Sequence, residues 1–184
     1  IVTGAEQPLD QALTITQADV DTLKGTTSRL RVGARLPRGE MLHLALMASE
    51  NRAAHALGRN YPGGVQAFVA AMNRRADELG MTDTRFADPT GLSSGNQSSA
   101  RDLATLVNAA HQHRIIRDLS TSPEYQVEVG RRELTFRNTN GLVRSPFMRR
   151  VYGDTLYGAF ETIKRTFDPR GVFNPGKIVE APVP

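Results

Sequence analysis

The sequence contains no cysteine and no tryptophan. Without cysteine, a disulfide framework and a thiolate site are both excluded, and the chain is compatible with an oxidising compartment. Only 6% of the residues are aromatic and 39% are hydrophobic, which predicts a modest core. The length of 184 residues still suffices for one domain with a buried interior.

Long apolar runs are missing as well. The most hydrophobic stretch, residues 42–47, has five apolar residues in six positions and is far too short to cross a bilayer. No signal peptide or membrane span is recognised. The first residue is not Met, so we expect the chain to begin inside a longer protein.

Lysine is scarce, with three residues against 20 arginines and a net charge of +4. The arginines are scattered along the chain rather than clustered. This pattern predicts a solvated basic surface and no nucleic-acid partner. Such a surface would still be attracted to an anionic polymer or to a cell envelope.

The four histidines give no metal-binding pattern. His111 and His113 are two apart and would point to different faces of a helix, while His43 and His55 have no carboxylate at ligand spacing. We therefore expect surface or hydrogen-bonded core histidines, no metal and no cofactor. No Gly-x-Ser-x-Gly or phosphate-binding glycine loop is present. A Ser-His-Asp triad stays open at this point.

Hydrophobic periodicity predicts an α+β fold that is mostly helical. Strand-like runs lie at 13–16 and 28–32, and a hairpin is predicted from 125–129 and 133–137 around Gly130. Helices are predicted at 37–59 with one interruption, at 64–79, at 100–119 and at 154–167. The third of these helices is expected to bury five apolar residues: Leu103, Leu106, Val107, Ala110 and Ile115.

The interruption of the first helix is the polar triplet Ser49-Glu50-Asn51. A buried helix rarely carries these three residue types together unless their polar groups have partners. The triplet is therefore either a capped break between two helices or part of a site.

Several ordered motifs surround this triplet and together resemble the low-molecular-mass penicillin-binding proteins. Within them the sequence is most similar to the D-alanyl-D-alanine endopeptidase (penicillin-binding protein 7) group of S11-type serine DD-peptidases, over about residues 1–143. The matching runs are 44–54, Tyr61-Pro62-Gly63-Gly64, Leu79-Gly80-Met81, Thr84-Arg85-Phe86, Asp88-Pro89-Thr90-Gly91-Leu92, Ser99-Ala100-Arg101-Asp102-Leu103 and Phe136-Arg137-Asn138-Thr139-Asn140.

The resemblance implies a partial DD-peptidase (β-lactamase-like) fold, a periplasmic location and peptidoglycan stem peptides or cross-links as substrates. β-Lactams would bind an intact enzyme. The family site combines Ser-x-x-Lys, Ser-x-Asn and Lys-Thr-Gly. By this resemblance Ser49 is the catalytic proton-relay serine, Asn51 binds and orients the substrate, and Glu50 is the variable middle residue. A hydroxyl both donates and accepts, which suits a relay.

The other two family elements are absent from these 184 residues. The residues three positions before the lysines Lys24, Lys164 and Lys177 are Asp21, Glu161 and Asn174, so no Ser-x-x-Lys exists. No Lys-Thr-Gly exists either. We expect the nucleophile motif to lie just before position 1 and Lys-Thr-Gly to have been lost after 140. No nucleophile is assigned, and a chain truncated in this way is expected to be inactive.

Residues 145–184 resemble something else, the C-terminal end of FAD-linked oxidases. The runs that carry this likeness are Asp168-Pro169-Arg170-Gly171 and Asn174-Pro175-Gly176-Lys177. We therefore expect a chimeric chain, with a DD-peptidase part at 1–143 and a foreign segment at 144–184. The oxidase's flavin domain is absent, so no flavin is expected. Two other functions stay open: a non-catalytic peptidoglycan-binding module and a fragment of a flavin-dependent 2-hydroxy-acid oxidase.

Overall fold

The computed structural model describes residues 1–2, 7–138 and 148–167. Helices dominate this part of the chain, and four short strands accompany them. The helices are α1 (Arg38–Ala48), α2 (Asn51–Arg59), α3 (Gly64–Glu78), α4 (Ala100–His111), α5 (Arg114–Thr121) and α6 (Met148–Phe167). The strands are β1 (Ala12–Thr14), β2 (Arg35–Pro37), β3 (Glu124–Val129) and β4 (Arg132–Arg137). The predicted α+β class with a majority of helix is confirmed.

Helix α1 is the centre of the core. Its buried residues Met41, Leu44 and Met47 recur at helical spacing and are fully enclosed. Helices α2 and α5 and the first sheet all pack against it. The apolar stretch at 42–47 therefore belongs to the helix around which the core of the described residues is packed.

Strands β1 and β2 pair in antiparallel register, and β2 leads directly into α1. Leu13 is opposite Leu36, and both side chains point into the core. The alternation of exposed and buried residues along both strands follows the period of two expected for a half-buried strand. This sheet fixes the point at which α1 begins.

Strands β3 and β4 form the predicted hairpin, with Gly130 at a φ of 65° in its turn. The hairpin is attached to α1 by polar contacts. The Tyr125 hydroxyl donates to Glu40 at 2.7 Å, and burial with this carboxylate raises the pKa of Tyr125 to about 12. The His43 ring lies 3.9 Å from the Tyr125 ring, and its Nε2 is 2.9 Å from the Ser122 hydroxyl. Burial lowers the pKa of His43.

The prediction of one helix over 100–119 is wrong in two respects. The chain leaves the helix at His113, whose backbone is extended, so α4 and α5 are separate. Leu103 and Val107 are exposed rather than buried, and Asp102 is the buried residue of the first turn. Its carboxylate accepts from the Asp83 N–H and the Thr84 hydroxyl. The Ser99 hydroxyl caps the start of α4 by accepting from the Asp102 N–H.

The predicted strand at 28–32 is also wrong. The Ser28 hydroxyl accepts from the Leu30 N–H, and such a local side-chain bond competes with a strand ladder. Only Leu30 of this stretch is fully buried.

The helix predicted at 154–167 is present as α6 and begins earlier, at Met148. The runs 168–171 and 174–177, which carry the oxidase likeness, lie outside the described residues. Among the helices that are described, none combines the length and the hydropathy that a membrane span requires.

Candidate functional site

Ser49 joins α1 to α2 in a left-handed conformation, with φ 52° and ψ 39°. Among the described residues it is the one non-glycine residue with a positive φ. Its N–H and that of Glu50 both reach the Leu44 carbonyl, so the end of α1 is capped by the backbone. Since a left-handed residue with a Cβ costs about 1–2 kcal/mol, the bend that exposes Ser49 is strained.

Glu50 caps the start of α2. Its carboxylate accepts from the Arg52 N–H at 3.2 Å, and the residue is 8% exposed. Burial raises the pKa of Glu50, and hydrogen bonds from Ser28 and Arg52 offset only part of that rise. The middle residue of the triplet is thus a buried structural cap whose ionisation is opposed by burial.

Asn51 is the first residue of α2 and is half-buried. Its side-chain Nδ2 donates to the Thr26 hydroxyl, which lies on the loop before β2. The Thr26 backbone N–H and hydroxyl in turn lie 2.8 Å and 2.7 Å from Oδ2 of Asp21. The amide of Asn51 is therefore held by a loop that precedes it by 25 residues.

Asp21 organises this loop. Its other oxygen, Oδ1, accepts from the Leu23 N–H at 2.7 Å and from the Lys24 N–H at 3.1 Å. The hydrogen bonds, led by those from Thr26, hold the pKa of Asp21 well below its ordinary value. The carboxylate is consequently ionised at neutral pH and acts only as an acceptor.

A second carboxylate, Asp19, ties the same loop to α2. Its side chain is fully buried and accepts from His55 Nδ1 at 2.8 Å and from Arg59 Nε and Nη2 at 3.0 and 2.9 Å. Burial raises the pKa of Asp19, but the bonds from His55, Arg59 and Thr16 outweigh it and hold that pKa well below the ordinary value. Asp19 is thus a charged anchor between the loop and the helix.

These groups border a cleft of about 180 Å³. Asn51 and His55, one helical turn apart, line it from α2, and Asp19 and Asp21 line it from the loop. The rest of the lining is formed by Ala18, Val20, Thr22, Leu23, Val65, Asp88, Pro89, Thr90 and Leu92. Of the two site residues predicted from the sequence, Asn51 lines the cleft and Ser49 does not.

Sequence reasoning missed Asp19, Asp21 and Thr26. A signal for Asp19 was available, because Thr16-x-x-Asp19 has the spacing of a capping box and forms one in the structure. The histidine prediction agrees with the structure for His43 and His55, which are both hydrogen-bonded. No cluster of three or more metal-ligating side chains occurs in the described part of the chain.

A comparison with protein families matches residues 2–151 to the D-alanyl-D-alanine carboxypeptidases, peptidase family S11. The chain belongs to this family. A second match covers residues 140–178 and is to the C-terminal domain of FAD-linked oxidases. Both resemblances seen in the sequence are confirmed by these matches.

Individual relatives support the same family. The D-alanyl-D-alanine endopeptidase of Pseudomonas aeruginosa is 47% identical over 147 residues, which is 79% of this chain and 47% of that protein. The Escherichia coli protein of the same name is 47% identical over 145 residues, or 78% of this chain and 47% of its own length. The chain thus spans about half the length of the curated relatives it matches.

Solved structures confirm the fold. The Streptomyces K15 DD-transpeptidase superposes with a TM-score of 0.69 at 27% identity and covers 77% of this chain and 60% of its own. A penicillin-binding protein homolog from Mycobacterium tuberculosis, at 24% identity, superposes with a TM-score of 0.67. The described part of the S11 chain therefore has a partial DD-peptidase fold.

The left-handed backbone of Ser49 predicts an unusual mutational result. Ser49→Gly and Ser49→Ala both remove the hydroxyl, but only glycine adopts this conformation without a Cβ penalty. We expect Ser49→Gly to have a free energy of unfolding about 1 kcal/mol higher than Ser49→Ala, measured by urea denaturation. Equal stability of the two variants would show that the bend is not strained.

Glu50 predicts a pH dependence of stability. Because its folded-state pKa is raised, the folded chain holds this proton more tightly than the unfolded chain. The contribution of Glu50 to the free energy of unfolding therefore falls as the pH rises from the ordinary pKa of a glutamate, about 4.5, toward the raised pKa of Glu50. Glu50→Gln stays neutral and keeps an oxygen for the Arg52 N–H.

We expect the free energy of unfolding of Glu50→Gln, relative to the parent, to increase across that pH window in thermal or urea unfolding. Glu128→Gln, an exposed change on β3, is the matched control and should follow the parent profile. If the free energies of unfolding of Glu50→Gln and of the parent change with pH in parallel, the pKa of Glu50 is not raised in the folded chain.

Proposed function

We propose that this chain carries the Ser-x-Asn element of a serine-type DD-peptidase that cleaves D-Ala-D-Ala-containing stem peptides or cross-links of peptidoglycan in the periplasm. The observation that carries the proposal is the position of Ser49 and Asn51 at the bend between two core helices, in a chain of the S11 family. The names of the relatives, D-alanyl-D-alanine endopeptidase and carboxypeptidase, support the substrate class.

In this proposal Ser49 passes a proton and Asn51 holds the peptide. The exposed hydroxyl of Ser49 accepts the proton released by a nucleophilic serine and donates one to the leaving amine. The amide of Asn51 pairs with a peptide bond of the substrate, since it offers both a donor and an acceptor. Neither group is a nucleophile.

The 184 residues contain neither Ser-x-x-Lys nor Lys-Thr-Gly. The acyl-enzyme step of the family therefore has no attacking serine in this chain, and we expect the chain by itself not to hydrolyse peptide or β-lactam. A peptidoglycan-binding module without hydrolysis is the second candidate, and the position of Asn51 in the cleft, where binding a peptide requires no nucleophile, favours it.

We further propose that the chain is a composite, with its DD-peptidase part at 1–143 and a segment of different origin at 144–184. Two observations support this. The oxidase match begins at residue 140, inside the end of the peptidase match, and the internal contacts of the chain divide between Phe136 and Arg137. The oxidase match is short, and the flavin domain is not part of it, so no flavin role is proposed.

Fluorescent penicillin tests the catalytic part of the proposal. We expect no covalently labelled band of this chain on a denaturing gel. An N-acylated peptide ending in D-Ala-D-Ala is nevertheless expected to bind, and Asn51→Ala to weaken that binding about tenfold through the loss of amide hydrogen bonds. Titration of labelled peptide by fluorescence anisotropy measures the change.

Asn108→Ala on the exposed face of α4 is the control and should bind like the parent. A covalently labelled band would contradict the expectation that the chain by itself is inactive. Peptide binding that is equal in the parent and in Asn51→Ala contradicts the substrate role of Asn51.

The composite origin is tested on DNA. Amplification from the source genome with primers on either side of codons 140–147 is expected to give no product of the length that a continuous gene requires. A product whose sequence runs unbroken through these codons would show a natural fusion instead.

A further inference from the structure

The side chains Asn51, Thr26 and Asp21 form a chain of hydrogen bonds with a defined direction. Nδ2 of Asn51 donates to Oγ1 of Thr26, and Oγ1 of Thr26 lies 2.7 Å from Oδ2 of Asp21. Asp21 is itself immobilised, because its Oδ1 accepts two backbone N–H groups of the loop. The three residues thus connect the start of α2 to a rigid turn.

The direction of these hydrogen bonds follows from the chemistry of the Asp21 carboxylate. An ionised carboxylate can only accept hydrogen bonds. The single hydroxyl proton of Thr26 must therefore point to Asp21, which leaves the Thr26 oxygen as an acceptor toward Asn51. Only the NH₂ end of the Asn51 amide can meet an acceptor. The amide orientation, which geometry alone leaves ambiguous in an asparagine, is thus dictated by Asp21.

We infer that Asp21 and Thr26 are positioning residues, which turn the Asn51 amide so that its Oδ1 and its second Nδ2–H face a bound peptide. This inference rests on the proposed substrate role of Asn51. Among the described residues, Thr26 is the one hydrogen-bond partner of the Asn51 side chain, so the oxygen is left for a ligand N–H and the remaining amide proton for a ligand carbonyl. Asp21 and Asn51 both line the cleft described above.

The recognised group is therefore an amide unit of a peptide, with its N–H toward Oδ1. A reversed Asn51 amide would place an NH₂ group against the same N–H, and this donor–donor contact would leave a polar group unpaired. The role of Thr26 and Asp21 is to exclude that reversed orientation before the ligand arrives, which lowers the cost of ordering on binding.

The link itself is tested by NMR on the ¹⁵N-labelled 184-residue chain. The side-chain amide protons of Asn51 should resonate at two well-separated frequencies, with the proton bound to Thr26 exchanging slowly. Thr26→Val, which keeps the shape but not the hydroxyl, should shift both frequencies toward those of an asparagine amide without this hydrogen bond and speed exchange at least fivefold. Thr26→Ser should retain the parent frequencies and the slow exchange. Thr105→Val on α4 is the control and should leave the Asn51 resonances unchanged.

Asp21→Ala provides a second variant if Thr26→Val does not fold. Without the carboxylate the Thr26 hydroxyl can either donate to Oδ1 of a reversed Asn51 amide or accept from its NH₂ group, so the slow exchange of the Asn51 proton should be lost. Parent-like Asn51 resonances in Thr26→Val or in Asp21→Ala would overturn the inference.

Affinity for the N-acylated D-Ala-D-Ala peptide separates this inference from the proposed function. We expect about five- to tenfold weaker binding in Thr26→Val and binding within twofold of the parent in Thr26→Ser. If Asn51→Ala weakens binding and Thr26→Val does not, the inference is wrong and the proposed function stands. If Asn51→Ala binds like the parent, the proposed role of Asn51 fails, and the positioning of a ligand amide fails with it.

Discussion

The bend at Ser49 is the constraint on which the candidate site depends. A continuous helix from residue 38 to residue 59 would keep the polar triplet within the apolar packing of α1, where each side chain would need a buried partner. The left-handed residue ends α1 and starts α2 in a new direction. Ser49 becomes exposed, Glu50 caps the second helix, and Asn51 reaches the loop. The cost of one strained residue is offset by hydrogen bonds on both sides of it.

The second feature of the site is its use of two neighbouring carboxylates. Asp19 neutralises the charge of Arg59 and fixes the His55 ring, while Asp21 directs a neutral amide through Thr26. Both act on α2 from one loop. Within the described part of the chain, no lysine or arginine lines the cleft, so the basic character predicted from the arginine count does not extend to it.

Local sequence patterns predicted the helices and the bend, and the resemblance predicted the family. The spacing of apolar residues identified α1, and the polar triplet marked its end. Both patterns are local, since each involves residues only a few positions apart. The sequence predictions were wrong or incomplete where contacts between residues far apart in the sequence determine burial or hydrogen bonding. The exposure of Leu103 and Val107 depends on what α4 packs against, and the roles of Asp21 and Thr26 depend on a helix 25 or more residues away. Periodicity carries no information about such partners.

The hydrogen bonds of the loop also have a consequence for folding order. The bonds from His55 and Arg59 to Asp19 and from Asn51 to Thr26 join residues 36, 40 and 25 positions apart. Closing segments of that length costs chain entropy that a single polar contact does not repay. These bonds therefore form after the apolar packing of α1 and α2 has brought their ends together. The orientation of the Asn51 amide is consequently a late product of folding, and a molecule with a loosened core would lose it before it lost its helices.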